Sequence, residues 1–247
     1  MALFSGIRTV AAVVFLAAFS LFATTQTPAP NTTEWENEAL KLRLFYPSDM
    51  VKADVDQVMH DGRLDLVGVT GATDSKLAEV AHCLQPVLLL KLAQSGPATS
   101  QKAEPTSDGG AQVAVTSDAV ATIVLAELDI NCLNAEQESG STTLLNDIAE
   151  IVSKSPGMKS IAQPSTYTIG WQKVHMAAAQ GQPPTPNPMP AQVYTMGIST
   201  NWNSHLLVWY FSSNRIDTLN RITKTTVRFG RDQAAPLYPL TIGNGAP

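Results

Sequence analysis

Leu40, Leu42 and Leu44 alternate with Lys41 and Arg43, the period of two that marks a half-buried strand. Tyr46-Pro47-Ser48-Asp49 closes that strand, because proline donates nothing to a ladder and Ser and Asp favour turns. Past Met50 the period changes. Val51, Val55, Val58 and Met59 fall at helical spacing before Asp61-Gly62, which predicts a short helix. Val87-Leu88-Leu89-Leu90 predicts a buried strand within His82–Leu92, with Pro86 marking an edge position or a bulge. A second strand is expected over Ala121–Ile130. Leu144, Ile148 and Ile151 recur at i, i+4 and i+7, joined by Leu145 and Val152, so Ser141–Ser155 reads as a helix ended by Pro156-Gly157.

Tyr167–Ala179 reads as a strand with a break at Gly170, and Gln192–Ser199 as another. His205–Phe211 is apolar on both faces, as a central strand covered on two sides must be. Asn214 is then expected to cap a helix running to Phe229, with Asp217 imitating a capping box. Ile216, Leu219, Ile222 and Val227 would form its buried side. Residues 94–112, rich in Ser, Pro, Gly and Ala, predict a long flexible surface loop. The proline-rich 182–190 insertion predicts an extended, polyproline-like hairpin connection.

The start of the chain has a different character. Arg8 precedes an apolar run of about 14 residues, Val10 to Ala23, followed by small residues and a polar stretch, the layout of a cleaved signal peptide. Such a run spans about 21 Å as a helix, short of the roughly 30 Å of a bilayer core. The expected organisation is a signal peptide over 1–25, a linker over 26–34, a single domain over 35–230 and a flexible tail over 231–247. The protein is therefore expected to be exported, periplasmic or secreted, with no integral membrane span after cleavage. Charged residues make up only 15% of the 247, and the net charge is −5 with the basic residues scattered singly. That pattern argues against nucleic acid as a partner.

The chemistry-bearing residues form no familiar set. There is no Gly-x-Ser-x-Gly elbow, and Gly68-Val69-Thr70-Gly71 lacks the spacing and lysine of a phosphate loop. His60, His82, His175 and His205 are too far apart in sequence for a ligand motif. His82 and Cys83, as neighbours on a strand, would face opposite ways. Glu127 and Asp129 are two apart on one expected strand face, where a solvated surface is the simplest reading. No catalytic, cofactor or metal-binding residue is assigned, and no cofactor is expected. Among the tryptophans, Trp209 belongs to the buried strand. Trp202, in Asn201-Trp202-Asn203 at an expected hairpin turn, is the aromatic most suited to contact a partner.

Cys83 and Cys132 are the chain's two cysteines, and in an exported chain they are expected to form a disulfide. An antiparallel register with Leu92 opposite Ile123 places Leu88 opposite Glu127 and Cys83 opposite Cys132. Opposed residues stand within disulfide reach.

The polar Asn37 leading into an apolar strand, the ending Phe45-Tyr46-Pro47-Ser48-Asp49 and the closing strand–cap–helix of Leu206 to Phe229 together resemble the PsbP-like family, exported bacterial proteins of that layout included. The resemblance implies an α+β fold, an antiparallel β-sheet flanked by helices on both sides (an α/β/α sandwich). It also implies a non-catalytic binding or assembly role toward a protein or cell-envelope component. An exported hydrolase with a site assembled from distant residues, or a small-ligand carrier, are the alternatives.

Overall fold

The computed structural model describes residues 31–56, 80, 82–93, 119–133, 141–154, 156–182 and 192–243. The expected signal peptide, the glycine-containing stretch after Asp61, the 94–112 loop and nearly all of the proline-rich insertion lie outside them.

His205–Ser213 (β9) runs through the middle of a seven-stranded antiparallel sheet, with every residue from Leu206 to Phe211 buried. Its neighbours are Ala121–Leu128 (β5) and Val193–Trp202 (β8). Outside β5 come Leu84–Leu92 (β4) and Met50–Lys52 (β3); outside β8 come Gln172–Gly181 (β7) and Met158–Ile169 (β6). Gly181 stands opposite Val193, so the proline-rich insertion joins two adjacent antiparallel strands. The predicted break at Gly170 is the β6–β7 turn, where Gly170 takes a φ of 58°.

Alternation divides β9 between two cores. Leu206, Val208 and Tyr210 face the helix Ser141–Lys154 (α1), whose Leu144, Leu145, Ile148, Ile151 and Val152 form the predicted stripe. Leu207, Trp209 and Phe211 face the other way, toward Ile216–Ile222 (α2) and a second, four-stranded antiparallel sheet. That sheet is made of Thr32–Asn37 (β1), Leu42–Pro47 (β2), Thr226–Phe229 (β10) and Ala235–Pro236 (β11). The class is α+β, with helices on both faces of the large sheet.

Several local expectations are corrected. The first strand, β1, begins at Thr32, inside the expected linker. Leu40, though buried, belongs to the β1–β2 turn rather than to a strand. The residues after Met50 start as strand: Met50 is buried, Val51 is half exposed, and β3 pairs with Leu90–Leu92. The rest of the predicted 51–59 helix falls largely outside the described residues. The C-terminal helix stops at Ile222, and Val227 and Phe229 lie on a strand instead. Asn214 does not cap α2. Arg215 occupies the cap position, while the Asn214 side-chain oxygen accepts from the Val120 amide at 2.9 Å. The stretch after Gly230, expected as a flexible tail, packs down through Leu237, Tyr238 and Ile242, and Asn220 exchanges two hydrogen bonds with Ile242.

The approach of α1 is set by one residue. A Cβ at Gly197 on β8 would stand 2.4 Å from the Ala149 carbonyl oxygen. Tyr210 and Ser199 donate from the sheet to the Ile148 and Leu145 carbonyls at 3.0 and 2.6 Å, holding the helix at that distance. Gly197→Ala must therefore push the backbone of α1 outward, and it should cost about 1–3 kcal/mol by overpacking. Urea denaturation would measure this; a loss under about 0.5 kcal/mol, typical of surface changes, would show that the helix is free to shift.

Candidate functional site

Sheet pairing builds a polar surface from residues far apart in sequence. In β2 and β10, Leu42, Leu44, Val227 and Phe229 point into the core, so Arg43 and Arg228 between them point out. Register then sets Glu36, Arg43 and Arg228 in a row across β1, β2 and β10. Two arginines directly opposed repel each other. The conflict is resolved at Arg43, whose guanidinium meets Glu36 at 2.8 Å and Glu34 at 3.2 Å. Arg228 has no such relief: among the described residues it makes no ion pair, and its Nε is buried without a hydrogen-bond partner. An unpaired buried donor of this kind costs about 1–3 kcal/mol.

At one end of this row the β1–β2 turn meets the chain leaving β10. Asn37 Oδ1 accepts from the Leu40 amide at 3.0 Å, Lys41 turns with φ 50°, and the Gly230 amide donates to the Lys41 carbonyl at 2.8 Å. The result is an open cleft of about 360 Å³. Lys41, Arg43, Arg228 and Arg231 line it against Glu36 and Glu38, with Gly230 between them. Four cations face two carboxylates, and Glu36 is already committed to Arg43.

Trp202 lies behind this cleft, not on an open surface. Its indole N–H donates to the Leu40 carbonyl at 2.7 Å, and its ring packs on Phe229 with centroids 5.1 Å apart. A Cβ at Gly230, where φ is 57°, would lie 3.3 Å from the ring. Trp202 thus braces the Leu40–Lys41 turn and the Gly230 corner together. The exposed tryptophan is Trp171, 90% exposed at the β6–β7 turn. Trp209 is fully buried, as its strand position predicts.

The other candidates do not converge. Glu127, at the end of β5, meets His205 Nδ1 at 2.5 Å. Asp129 lies beyond the strand and caps the 3₁₀ turn Ile130–Cys132, accepting the Asn131 amide at 2.9 Å, so the expected carboxylate pair is divided. Asp147 and Glu150 lie on the outer side of α1 and both meet Lys154, at 3.3 and 3.2 Å. His82 is exposed and His175 is buried beside Thr166, at 3.2 Å. Among the described residues no group of three His, Cys, Asp or Glu side chains could hold a metal ion. No helix among them is long and apolar enough to cross a membrane.

Cys83 and Cys132 stand at disulfide distance, with Cα atoms 5.5 Å apart. The register that brings them there differs from the expected one. Leu90, not Leu92, opposes Ile123, and a bulge between Pro86 and Leu88 shifts the pairing so that Leu84 opposes Leu128. The Asp129 amide then donates to the Cys83 carbonyl at 3.0 Å, and the 3₁₀ turn curls Cys132 back over it.

Alkylation of the denatured, unreduced protein should leave both cysteines unlabelled. Reduction should cost about 4 kcal/mol on the chain-entropy model for a loop of 49 residues. Two labelled thiols without reductant would overturn the pairing.

Burial lowers the pKa of His175 below its ordinary value of 6.5, and nearby Lys173 adds to the shift. Folding thus disfavours the protonated imidazole. The unfolded chain therefore binds the extra proton first, and stability should fall as pH drops below about 6.5. His175→Gln should flatten that part of the stability–pH curve; an unchanged slope would assign it to other groups.

In the sequence Lys41 and Arg43 read only as the polar face of a strand, and Arg228 and Arg231 lie far from them. The available signal was the alternation Thr226-Val227-Arg228-Phe229, which has period two and fits a strand better than the end of a helix.

No protein-family model matches the chain, and no curated protein matches it in sequence. Among solved structures it is similar to the solution structure of cyanobacterial PsbP (CyanoP) from Synechocystis sp. PCC 6803. The identity is 9% and the TM-score 0.37, over 76% of this chain and 85% of that one.

Proposed function

We propose that this chain is an exported, non-catalytic binding or assembly module of PsbP-like type, whose partner is a protein or cell-envelope component. The observation that carries the reading is the cleft at the end of the small sheet, where cations outnumber carboxylates on a chain of net charge −5. Arginine and lysine are groups that hold a ligand by charge and hydrogen bonds without changing protonation near neutral pH. The cysteine pair at disulfide distance and the apolar segment Val10 to Ala23 support an oxidising, extracytoplasmic setting. The PsbP-like assignment rests on the residues of its resemblance, Asn37 before an apolar strand, Phe45 to Asp49 and Leu206 to Phe229.

Affinity co-purification of the full chain from envelope fractions of its native host, read by mass spectrometry, tests this directly. A partner in fixed stoichiometry is expected, from protein whose N-terminus lies near Gln26. Recovery of the chain alone from every fraction would overturn the binding role, as would turnover of ester or peptide substrates by the purified protein. An intact Met1 terminus in the cytoplasm would overturn export.

A further inference from the structure

We infer that the envelope component this chain meets is an anionic phospholipid surface. Trp171 enters its interfacial zone, and the cations beside that residue face the headgroup phosphates; the inference rests on the binding reading given above. Trp171 is 90% exposed at the β6–β7 turn, where Gly170 takes a φ of 58°. Among the described residues no other large apolar side chain is as open.

That turn lies at the same end of the molecule as the cationic cleft. Val174 opposes Thr200, so the β6–β7 turn sits beside the β8–β9 turn, from which Trp202 holds Leu40. A Cβ at Gly170 would stand 3.6 Å from the Asp232 carboxylate, and Asp232 follows Arg231 of the cleft.

The charges there are unevenly committed. Arg43 is neutralised by Glu34 and Glu36, and Arg228 keeps its Nε in the interior. The cations within a ligand's reach are Lys41, Lys173 and Arg231, all exposed and without an ion pair among the described residues. Glu38 and Asp232 oppose them. Counting the Arg228 charge, four cations stand against two acids. Glu127 and Asp129 belong to this end too, but β5 is three strands from β7, about 14 Å at roughly 4.8 Å per strand. That exceeds the Debye length of about 8 Å at physiological ionic strength.

The surroundings of Trp171 choose between a bilayer and a pocket on a protein. Gly170, Gln172 and Lys173 flank it, so no apolar rim encloses the ring. Anchor residues of protein interfaces sit inside a ring of contacts that excludes water. The bilayer interface accepts a lone indole whose base stays wet, with Lys and Arg at headgroup depth. An anionic leaflet also presents a continuous negative potential, so scattered cations act together on it. Guanidinium and ammonium groups both suit its phosphates.

The test is flotation of the processed protein, with its N-terminus near Gln26, on phosphatidylcholine vesicles with and without one-third phosphatidylglycerol. Binding is expected to the mixed vesicles, weakening as salt is raised, and far less to phosphatidylcholine alone. Trp171→Ala should weaken it at least about fivefold, and Lys41→Gln combined with Arg231→Gln should do the same. All three side chains are exposed, so an unchanged melting temperature should report an intact fold. Should Trp171→Ala unfold, Trp171→Phe, which keeps an apolar ring, should retain most of the binding. Quenching of wild-type tryptophan emission by brominated lipid then carries the test. The assignment is overturned by binding to neither vesicle, by equal binding to both, or by binding unchanged in Trp171→Ala. Saturable binding of inorganic phosphate with vesicles ignored would also overturn it. A co-purified protein partner, with vesicles ignored, would overturn the lipid assignment and leave the binding role standing.

Discussion

β9 has no face to give to water. Six consecutive buried residues, Leu206 to Phe211, oblige the chain to supply an apolar cover on each side of the large sheet. On one side the amphipathic helix α1 lies close, because Ala177, Ala179 and Gly197 keep the sheet surface low. On the other side Trp209 and Phe211 stand up from the sheet, and the cover must be wider. It is made of α2 and the small sheet. The indole N–H of Trp209 finds no partner among the described residues, at a cost of about 1–3 kcal/mol. Burying a ring of roughly 200 Å² at about 25 cal/mol per Å² gains about 5 kcal/mol. The burial term is the larger, so the unpaired donor is tolerated.

A cover assembled from both ends of the chain has to be fastened. Trp202 to Leu40 is one tie, and Arg221 to Asp49, with both carboxylate oxygens at 2.8 Å, is another. Tyr167 donates to the Leu237 carbonyl, tying the edge strand β6 to the segment after β11. The exposed Arg221–Asp49 pair contributes at most about 1 kcal/mol, so the apolar contacts, not the ion pairs, carry the attachment. These fastenings also shape the surface. The Leu40 carbonyl held by Trp202 and the Lys41 carbonyl held by Gly230 are adjacent, and together they fix one end of the cationic cleft.

Where a side-chain pattern had a single physical cause, the sequence could be read directly. The two-faced apolar run of β9 and the i, i+4, i+7 stripe of α1 are of that kind, because burial alone dictates them. Positions where two causes compete were misread. Asn214 has the side chain of a helix cap, but its oxygen is drawn to the Val120 amide at the end of the β5–β9 ladder, a partner 94 residues away. Val227 continues the spacing of Ile216, Leu219 and Ile222, yet Thr226 to Phe229 also alternates, and pairing with β2 decides the outcome. The Cys83–Cys132 approach follows from the strands being antiparallel neighbours. Pro86 signals an edge position or a bulge, and the bulge is what forms; it reverses the face of everything before it, which is why Leu84 and Leu88 serve opposite cores.

The cleft illustrates a further reason why function hides in a sequence. Net charge and the scatter of basic residues describe the whole chain, whereas a ligand feels the charges within a Debye length, about 8 Å at physiological ionic strength. Lys41 and Arg43 are separated from Arg228 and Arg231 by nearly the entire domain, and only the β2–β10 register makes them neighbours. A global balance of −5 therefore says little about a corner where four cations face two acids. Trp202 teaches the same lesson from the other side. Its flanking asparagines suggest an exposed turn, and β8 does turn there, through Asn203 and Ser204 at positive φ. The turn presents the indole N–H to a carbonyl on a strand connection 162 residues earlier. That bond converts an apparent contact residue into the support on which the cationic corner is built.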